Sequence, residues 1–448
     1  MNVSKIFSFP IVSKFDNKNF LILMIIVIIT VMIDSEIGIV ADFIPNQLSS
    51  IWGIGGFLGL AILFVVSQYF ILSYLKQINK ENKIRVNPLD VIYTIVSIGQ
   101  SILAGLLVFV TLQILTSQQY NLIILYVSHA ISYGLWIITM GLLANAFLSW
   151  FRRSNQNVMI LILTLSMIAY VVNGFTSLTS NFDMLMQQKA IILSMDVAYF
   201  PEFSFISLGS QITLVNHIAS GIAYVLTWIG TIKLLYPYIQ KFGKIKFWSI
   251  MSIVMIYYLV SFPLFALGYF TPSDNIDAMT NIHIFSLSGI LTGIIFGAAF
   301  LSVARTLDKK IGLRNHMIIA AYGLLLFYIA GSAMAAQAAY PPYGLASMCF
   351  TGLSCYLIYS GLYSSAVIVS QDSNLRQSIK KIVTEQSKLL DNIGKAHMQQ
   401  ELEFRVLTIA KKKSELMEEE TGIEPSMTEN QIKDYIEIVT KEIYKSRV

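Results

Sequence analysis

Charge is what this sequence has least of. Only 13% of its 448 residues are charged, against 55% that are hydrophobic, where a soluble domain carries about 25% charged residues. That balance excludes an ordinary soluble fold and points to a polytopic membrane protein. Acidic groups are also missing from the middle of the apolar runs, since Asp34, Glu36 and Asp90 fall near run ends. A proton- or sodium-coupled carrier normally places titratable or ion-coordinating side chains at mid-depth, so a carrier loses weight. Cysteine is scarce: Cys349 and Cys355 lie six apart in one apolar run. They point in different directions around a helix and read as small apolar residues rather than a disulfide. No GxxxxGK(S/T), HExxH, GxSxG or CxxC motif occurs, so no catalytic residues are expected. No short leader with a small-residue cleavage site precedes the first apolar run, and no cleaved signal peptide is expected.

What the chain has in abundance is apolar runs of membrane length. About 20 such residues cross the hydrocarbon core, which predicts ten spans, roughly 19–34, 50–75, 89–115, 121–149, 157–178, 210–236, 247–270, 281–304, 316–338 and 344–370. Lys and Arg accumulate in cytoplasmic loops. With the N-terminus inside, ten spans place 30 of the 31 Lys/Arg on one side, Lys189 being the exception. The expectation is an all-α integral membrane protein of the plasma membrane, both termini cytoplasmic, with a membrane domain 1–370 and a helical tail 371–448. The net charge of +5 belongs to the membrane part: residues 1–370 hold 18 Lys/Arg and 12 Asp/Glu, and residues 371–448 hold 13 and 14. The basic excess sets orientation, and nucleic acid is not expected as a partner.

Glycines spaced by four predict close helix packing, the device used where lipid removes the hydrophobic drive between helices. One such stripe is Gly289, Gly293 and Gly297 in NIHIFSLSGILTGIIFGAAFLSVAR, which places that span inside a bundle; a second is Gly55 and Gly59 in WGIGGFLG. Gln68, Gln100, Asn145, Asn173, Asn216 and Gln337 sit at membrane depth and read as interhelical hydrogen-bonding groups. Three histidines form a weak repeat. His129 precedes Arg152 by 23 residues, His217 precedes Lys241 by 24, and His283 precedes Arg305 by 22, as in three parallel hairpins. His129 and His217 lie at matching depth, which is what haem b ligation by two histidines needs; a metal ion is the other cofactor this pattern admits. The competing reading is that each ring hydrogen-bonds a neighbouring carbonyl.

The outward loops are acidic, with Asp34, Glu36, Asp42, Asp183, Asp196, Glu202, Asp274 and Asp277 read as a solvated rim. The longest, about 179–209, carries Met184, Met186, Met195 and an aromatic run from Tyr199 to Phe205, which suits a segment at the interface or a lid. After residue 371 the chain turns charged and helical. Leu375, Ile379, Ile382, Leu389 and Ile393 share one face, as in a helix continuing out of the bilayer. Gly394 interrupts the register, and Leu402, Val406, Ile409 and Leu416 form a second, coiled-coil-like stripe. His397 reads as a solvent-exposed helix residue. A capping box at Thr428 to Gln431 opens a last short helix with Ile432, Ile436, Val439 and Ile443. Exposed stripes of this kind need a partner: a second copy, the inner loops or a cytoplasmic protein.

The junction from Tyr340 through Pro341, Pro342, Tyr343 and Gly344 to Leu345, the run GLYSSAVIVSQDSNLRQSIKK at 361–381, and the stretches DNIGKAHMQQELEFRV and EEETGIEPSMTE resemble an uncharacterised family of multi-pass membrane proteins from ammonia-oxidising archaea (Thaumarchaeota-type). The likeness covers the chain from about His129 onward. It implies an archaeal plasma membrane and a helical cytoplasmic tail, and transfers no catalytic residues. The function expected is sensory or receptor-like transmission from bundle to tail. A small-molecule transporter or permease, and a membrane redox protein using the outer-leaflet histidines, stay open beside it.

Overall fold

The computed structural model describes residues 17–40, 45–81, 87–153, 157–186, 191–193, 208–236, 239, 243–266, 275–307, 312–331, 340–372, 385–421, 431 and 435. In chain order the helices are α1 (Asn17–Val40), α2 (Pro45–Leu48), α3 (Ile51–Glu81), α4 (Asn87–Ser117), α5 (Leu122–Arg153), α6 (Val158–Met186), α7 (Leu208–Leu235), α8 (Lys244–Ala266), α9 (Asn275–Thr306), α10 (Gly312–Gly331), α11 (Leu345–Gln371) and α12 (Glu385–Thr421). Among the described residues, eight helices are long and apolar enough to cross a membrane: α1, α3, α4, α5, α6, α7, α10 and α11. The protein is therefore an all-α membrane protein. α9 adds a shorter apolar stretch, Gly289–Arg305.

The outer helices show why a bilayer is their solvent. On α1, Leu21, Ile22, Ile25, Ile26, Ile29 and Ile33 are exposed, while Phe20, Met24, Val27 and Val31 face inward. Every large side chain on the exposed stripe is apolar, as hydrocarbon requires. α11 is the opposite case. Every residue of it except Tyr363, Ile368 and Gln371 is buried, and it packs against α1, α3, α4, α5, α10 and α12. It is the axis of the bundle.

Small residues make that central position workable. A Cβ on Gly361 would lie 2.6 Å from Ala320 N and from His316 O on α10, and one on Gly352 would lie 2.9 Å from Leu135 Cβ on α5. Backbones this close gain the many weak dispersion contacts that hold membrane helices together. Gly293 and Gly297 of α9 act likewise against α10, with Cβ positions 3.0 Å from Leu325 O and Ala321 O respectively; Gly289 is half-buried. The stripe at Gly55 and Gly59 does not: both are exposed, with nothing within 4 Å of either Cβ position. The glycines with close neighbours there are Gly53, whose Cβ would run into Leu48 O, and the exposed Gly56, whose Cβ would lie 2.7 Å from the Tyr343 hydroxyl.

Two short strands, β1 (Gln119–Asn121) and β2 (Ile191–Leu193), pair antiparallel with Tyr120 opposite Ile192. They tie the loop after α6 to the residues just before α5, most of which fall between two predicted spans. The calls at Met195 and at Tyr199 to Phe205 lie outside the described residues, as do Lys189, Gln337 and most of the last predicted helix.

The tail differs from a straight extension of the last span. α11 ends at Gln371, and Asp372 caps it with an extended backbone, φ −106° and ψ 105°. α12 runs unbroken through Gly394 and packs against α11, α5, α6 and α7. Gly394 is a contact rather than a break: its Cβ position lies 2.8 Å from Val369 Cβ, so only glycine lets α12 sit this close to the end of α11.

Candidate functional site

Among the described residues, the ends of α11 carry two specific constellations. At its start, residues 340–347 are all buried, the Tyr340–Pro341 peptide is cis, and Gly344 takes the left-handed conformation, φ 88°, that a side chain would strain. Asp34 of α1 enters this turn and is fully buried. One carboxyl oxygen accepts the Gly344 N–H at 3.0 Å; the other accepts the Ser347 N–H at 2.7 Å and the Ser347 hydroxyl at 2.8 Å. The first four N–H groups of a helix have no partner within it. Here a residue 310 positions away supplies two of the acceptors and places an acid at the positive end of the helix dipole. Ser347 also donates to Val31 O at 3.0 Å, and the Tyr343 hydroxyl donates to Gly53 O at 2.5 Å. Asp34 thus belongs to the core of α11's cap rather than to an acidic rim. A left-handed glycine opening an apolar helix after a double proline was the local signal that a cap had to be found elsewhere.

At the other end, α12 crosses α11 and α5. Leu389, Leu390, Ile393 and Ala396 are buried, and so is His397 at 8% exposure; the expectation of a solvent-exposed histidine fails because α12 docks on the bundle. The His397 ring meets Tyr363 of α11 with centroids 5.6 Å apart and Trp150 of α5 at 6.1 Å. Beside them Arg153 donates to Glu403 through Nε at 3.1 Å and Nη2 at 2.7 Å. Both donors converge on one carboxylate oxygen, Glu403 Oε2, in a half-buried, charge-assisted ion pair.

Of the three predicted histidines, His129 and His217 have described side chains. His129 is buried, and its Nδ1 lies 2.7 Å from Leu125 O, which requires the proton on Nδ1. Its ring stacks on Tyr133 at 6.1 Å and 6°. His217 sits half-buried on α7, and α6 packs along both α5 and α7. The side chain of His283 lies outside the described residues. Among the described residues, no three His, Cys, Asp or Glu side chains gather as a metal-holding group. Cys349 and Cys355 are buried free thiols.

Hydroxyl groups cluster among the later helices. Ser166 and Thr227 share a hydrogen bond at 2.7 Å, and Tyr170 joins Thr227 at 3.0 Å and also Tyr328. Tyr224 bonds Thr292 at 3.0 Å and donates to Val254 O at 3.0 Å. The cluster links α6, α7, α8, α9 and α10 with neutral groups that satisfy one another. Of the polar residues read as interhelical, Gln100 donates to Cys349 O at 3.2 Å, and Asn216 accepts from Thr176 at 2.9 Å and Ser177 at 2.8 Å. No family model, curated protein or solved structure matches the chain.

Proposed function

We propose that the protein is a membrane sensor or receptor-like transmitter in which α11 carries a change at the outer end of the bundle to α12 at the cytoplasmic end. One observation supports this above the others: a single buried helix is held by a long-range cap, Asp34 on Gly344 and Ser347, at one end and by the Gly394–Val369 contact at the other. From Ser347 to Val369 the helix rises about 33 Å at 1.5 Å per residue. A packed helix of that length shifts as a unit, because close-packed interiors have discrete arrangements rather than a continuum. Ten spans, cytoplasmic termini and the archaeal plasma membrane complete the proposal, resting on the charge segregation and the family resemblance described for the sequence.

The test is amide hydrogen exchange of the full chain in lipid nanodiscs. Asp34→Asn removes one acceptor oxygen from the cap, and faster exchange in 389–403 is expected although the substitution sits at the far end of α11. Unchanged exchange there, with faster exchange confined to 344–348, contradicts transmission. The hydroxyl cluster among α6 to α10 favours a second reading, a small-molecule permease for a polar uncharged solute, since such a solute exchanges hydrogen bonds with neutral hydroxyls. Uptake into proteoliposomes that Tyr170→Phe abolishes would favour it over the sensor.

A further inference from the structure

We infer that the docking of α12 is controlled by proton binding at His397, so that acidification on the α12 side releases the helix from α5 and α11. This deepens the reading of α12 as the output element and rests on it. His397 lies against two aromatic rings: Trp150 and Tyr363 stack on each other at 6.0 Å, and the imidazole meets both at steep angles, 81° and 70°. Trp150 Nε1 and His397 Nδ1 are both buried without a hydrogen-bond partner. A neutral imidazole has one donor to place, an imidazolium has two. Among the described residues, none offers an acceptor to the ring's Nδ1.

The surrounding charges decide the direction. On α12 itself Glu401, one turn along, favours the charged ring, but it is engaged by Arg405 at 2.5 Å. Asp391, six residues back, pairs with Lys395. α5 brings the Arg153 cation, neutralised by Glu403, and the exposed Arg152; α11 brings the Tyr363 ring. Of the further helices that touch α12, α6 begins on uncharged residues and α7 ends near Lys233. The two rings offer a cation some attraction, but burial there takes away the water that would solvate it, and that desolvation is the larger effect. Burial therefore holds the His397 pKa below the ordinary histidine value, with Glu401 pulling weakly the other way.

The sign follows from linkage. Docked, the ring prefers to be neutral; undocked, it titrates near 6.5. Docking is at full strength above that pH and weakens as pH falls through it. The docked-to-undocked ratio drops by up to about tenfold per pH unit until the docked ring also protonates. Hydrating the buried Nδ1 requires α12 to move, because Ile393 and Gly394, one turn back on the same helix, are buried and Gly394 is seated on Val369.

The experiment places spin labels at Lys80→Cys on α3 and Thr408→Cys on α12 in the full chain in nanodiscs, where both native cysteines are buried. Distance distributions are measured at about pH 8 and about pH 5.5, on either side of the histidine range. A second, longer population is expected at the lower pH and is expected to vanish in His397→Gln. His397→Asn serves if the glutamine variant fails to fold. An identical wild-type distribution at both pH values overturns the inference. So does a His397→Gln response equal to the wild type, which would assign the sensitivity to Glu401 or another carboxylate. A parallel Asp34→Asn sample at about pH 8 separates the two levels: if it shifts α12 while pH does not, transmission stands and proton control falls.

Discussion

Replacing Gly361 by alanine tests the central placement of α11 with the smallest perturbation available. The added methyl would sit 2.6 Å from Ala320 N and from His316 O, and 2.7 Å from Ala320 Cβ. Ordinary carbon contacts lie at about 3.5–4.0 Å, so α10 and α11 must separate by roughly 1 Å. The obstructing atoms include backbone, which no change of rotamer moves. Overpacking of this kind costs about 1–3 kcal/mol, and the upper end is expected because the strain spreads along two helices. Gly59→Ala is the matched control: nothing lies within 4 Å of its Cβ position, and alanine gains about 1 kcal/mol of helix propensity over glycine. Equilibrium unfolding in mixed micelles titrated with a denaturing detergent should move the midpoint down for Gly361→Ala and leave it level or raised for Gly59→Ala. Equal midpoints would refute the claim that α11 is packed through its glycines.

Asp34→Ala strips the acceptor from two N–H groups and one hydroxyl and should lower stability by about 2–3 kcal/mol, while Asp34→Asn, which keeps one carbonyl oxygen, loses less in the same titration; equal losses would show that the cap contributes nothing specific. Gly293→Leu should reduce folded yield far more than Leu291→Ala, because the first meets Leu325 O at 3.0 Å and Tyr328 Cβ at 3.2 Å while Leu291 is exposed. Gly394→Val should lift α12 off Val369 and raise tryptic cleavage after Lys395 severalfold, with cleavage rates following the undocked population; an unchanged rate would mean that the contact does not hold α12.

The helices that cross the membrane were legible because length and apolar composition are local properties. Which face of a helix is buried was legible in part, since Gly293 and Gly297 meet α10 but Gly55 and Gly59 meet nothing. Spacing alone cannot tell a lipid-facing stripe from a packed one; the neighbour decides, and in this turn the backbone of Leu48 approaches Gly53. α11 did carry a readable mark. Small residues such as Ala346, Gly352, Ser354, Ser360, Gly361, Ser364 and Ser365 occur all around it, leaving no purely apolar stripe for lipid. Asp34 was misplaced because its partners lie about 310 residues away, and nothing near it in sequence announces burial. His397 was misplaced for a related reason: a polar, amphipathic helix looks the same whether it floats in solvent or docks, and docking depends on Val369, Trp150 and Tyr363 on two other helices.

The coupling of the two ends of α11 is tested most directly by a double-mutant cycle between Asp34→Asn at the cap and Glu403→Gln at the docked tail, with α12 docking read from amide exchange in 389–403. Sites this far apart ordinarily add within about 0.3–0.5 kcal/mol. Transmission through α11 predicts an interaction of about 1 kcal/mol or more, the double variant undocking α12 by a different amount than the two single effects sum to. Simple additivity, with both single variants folded, would contradict the account.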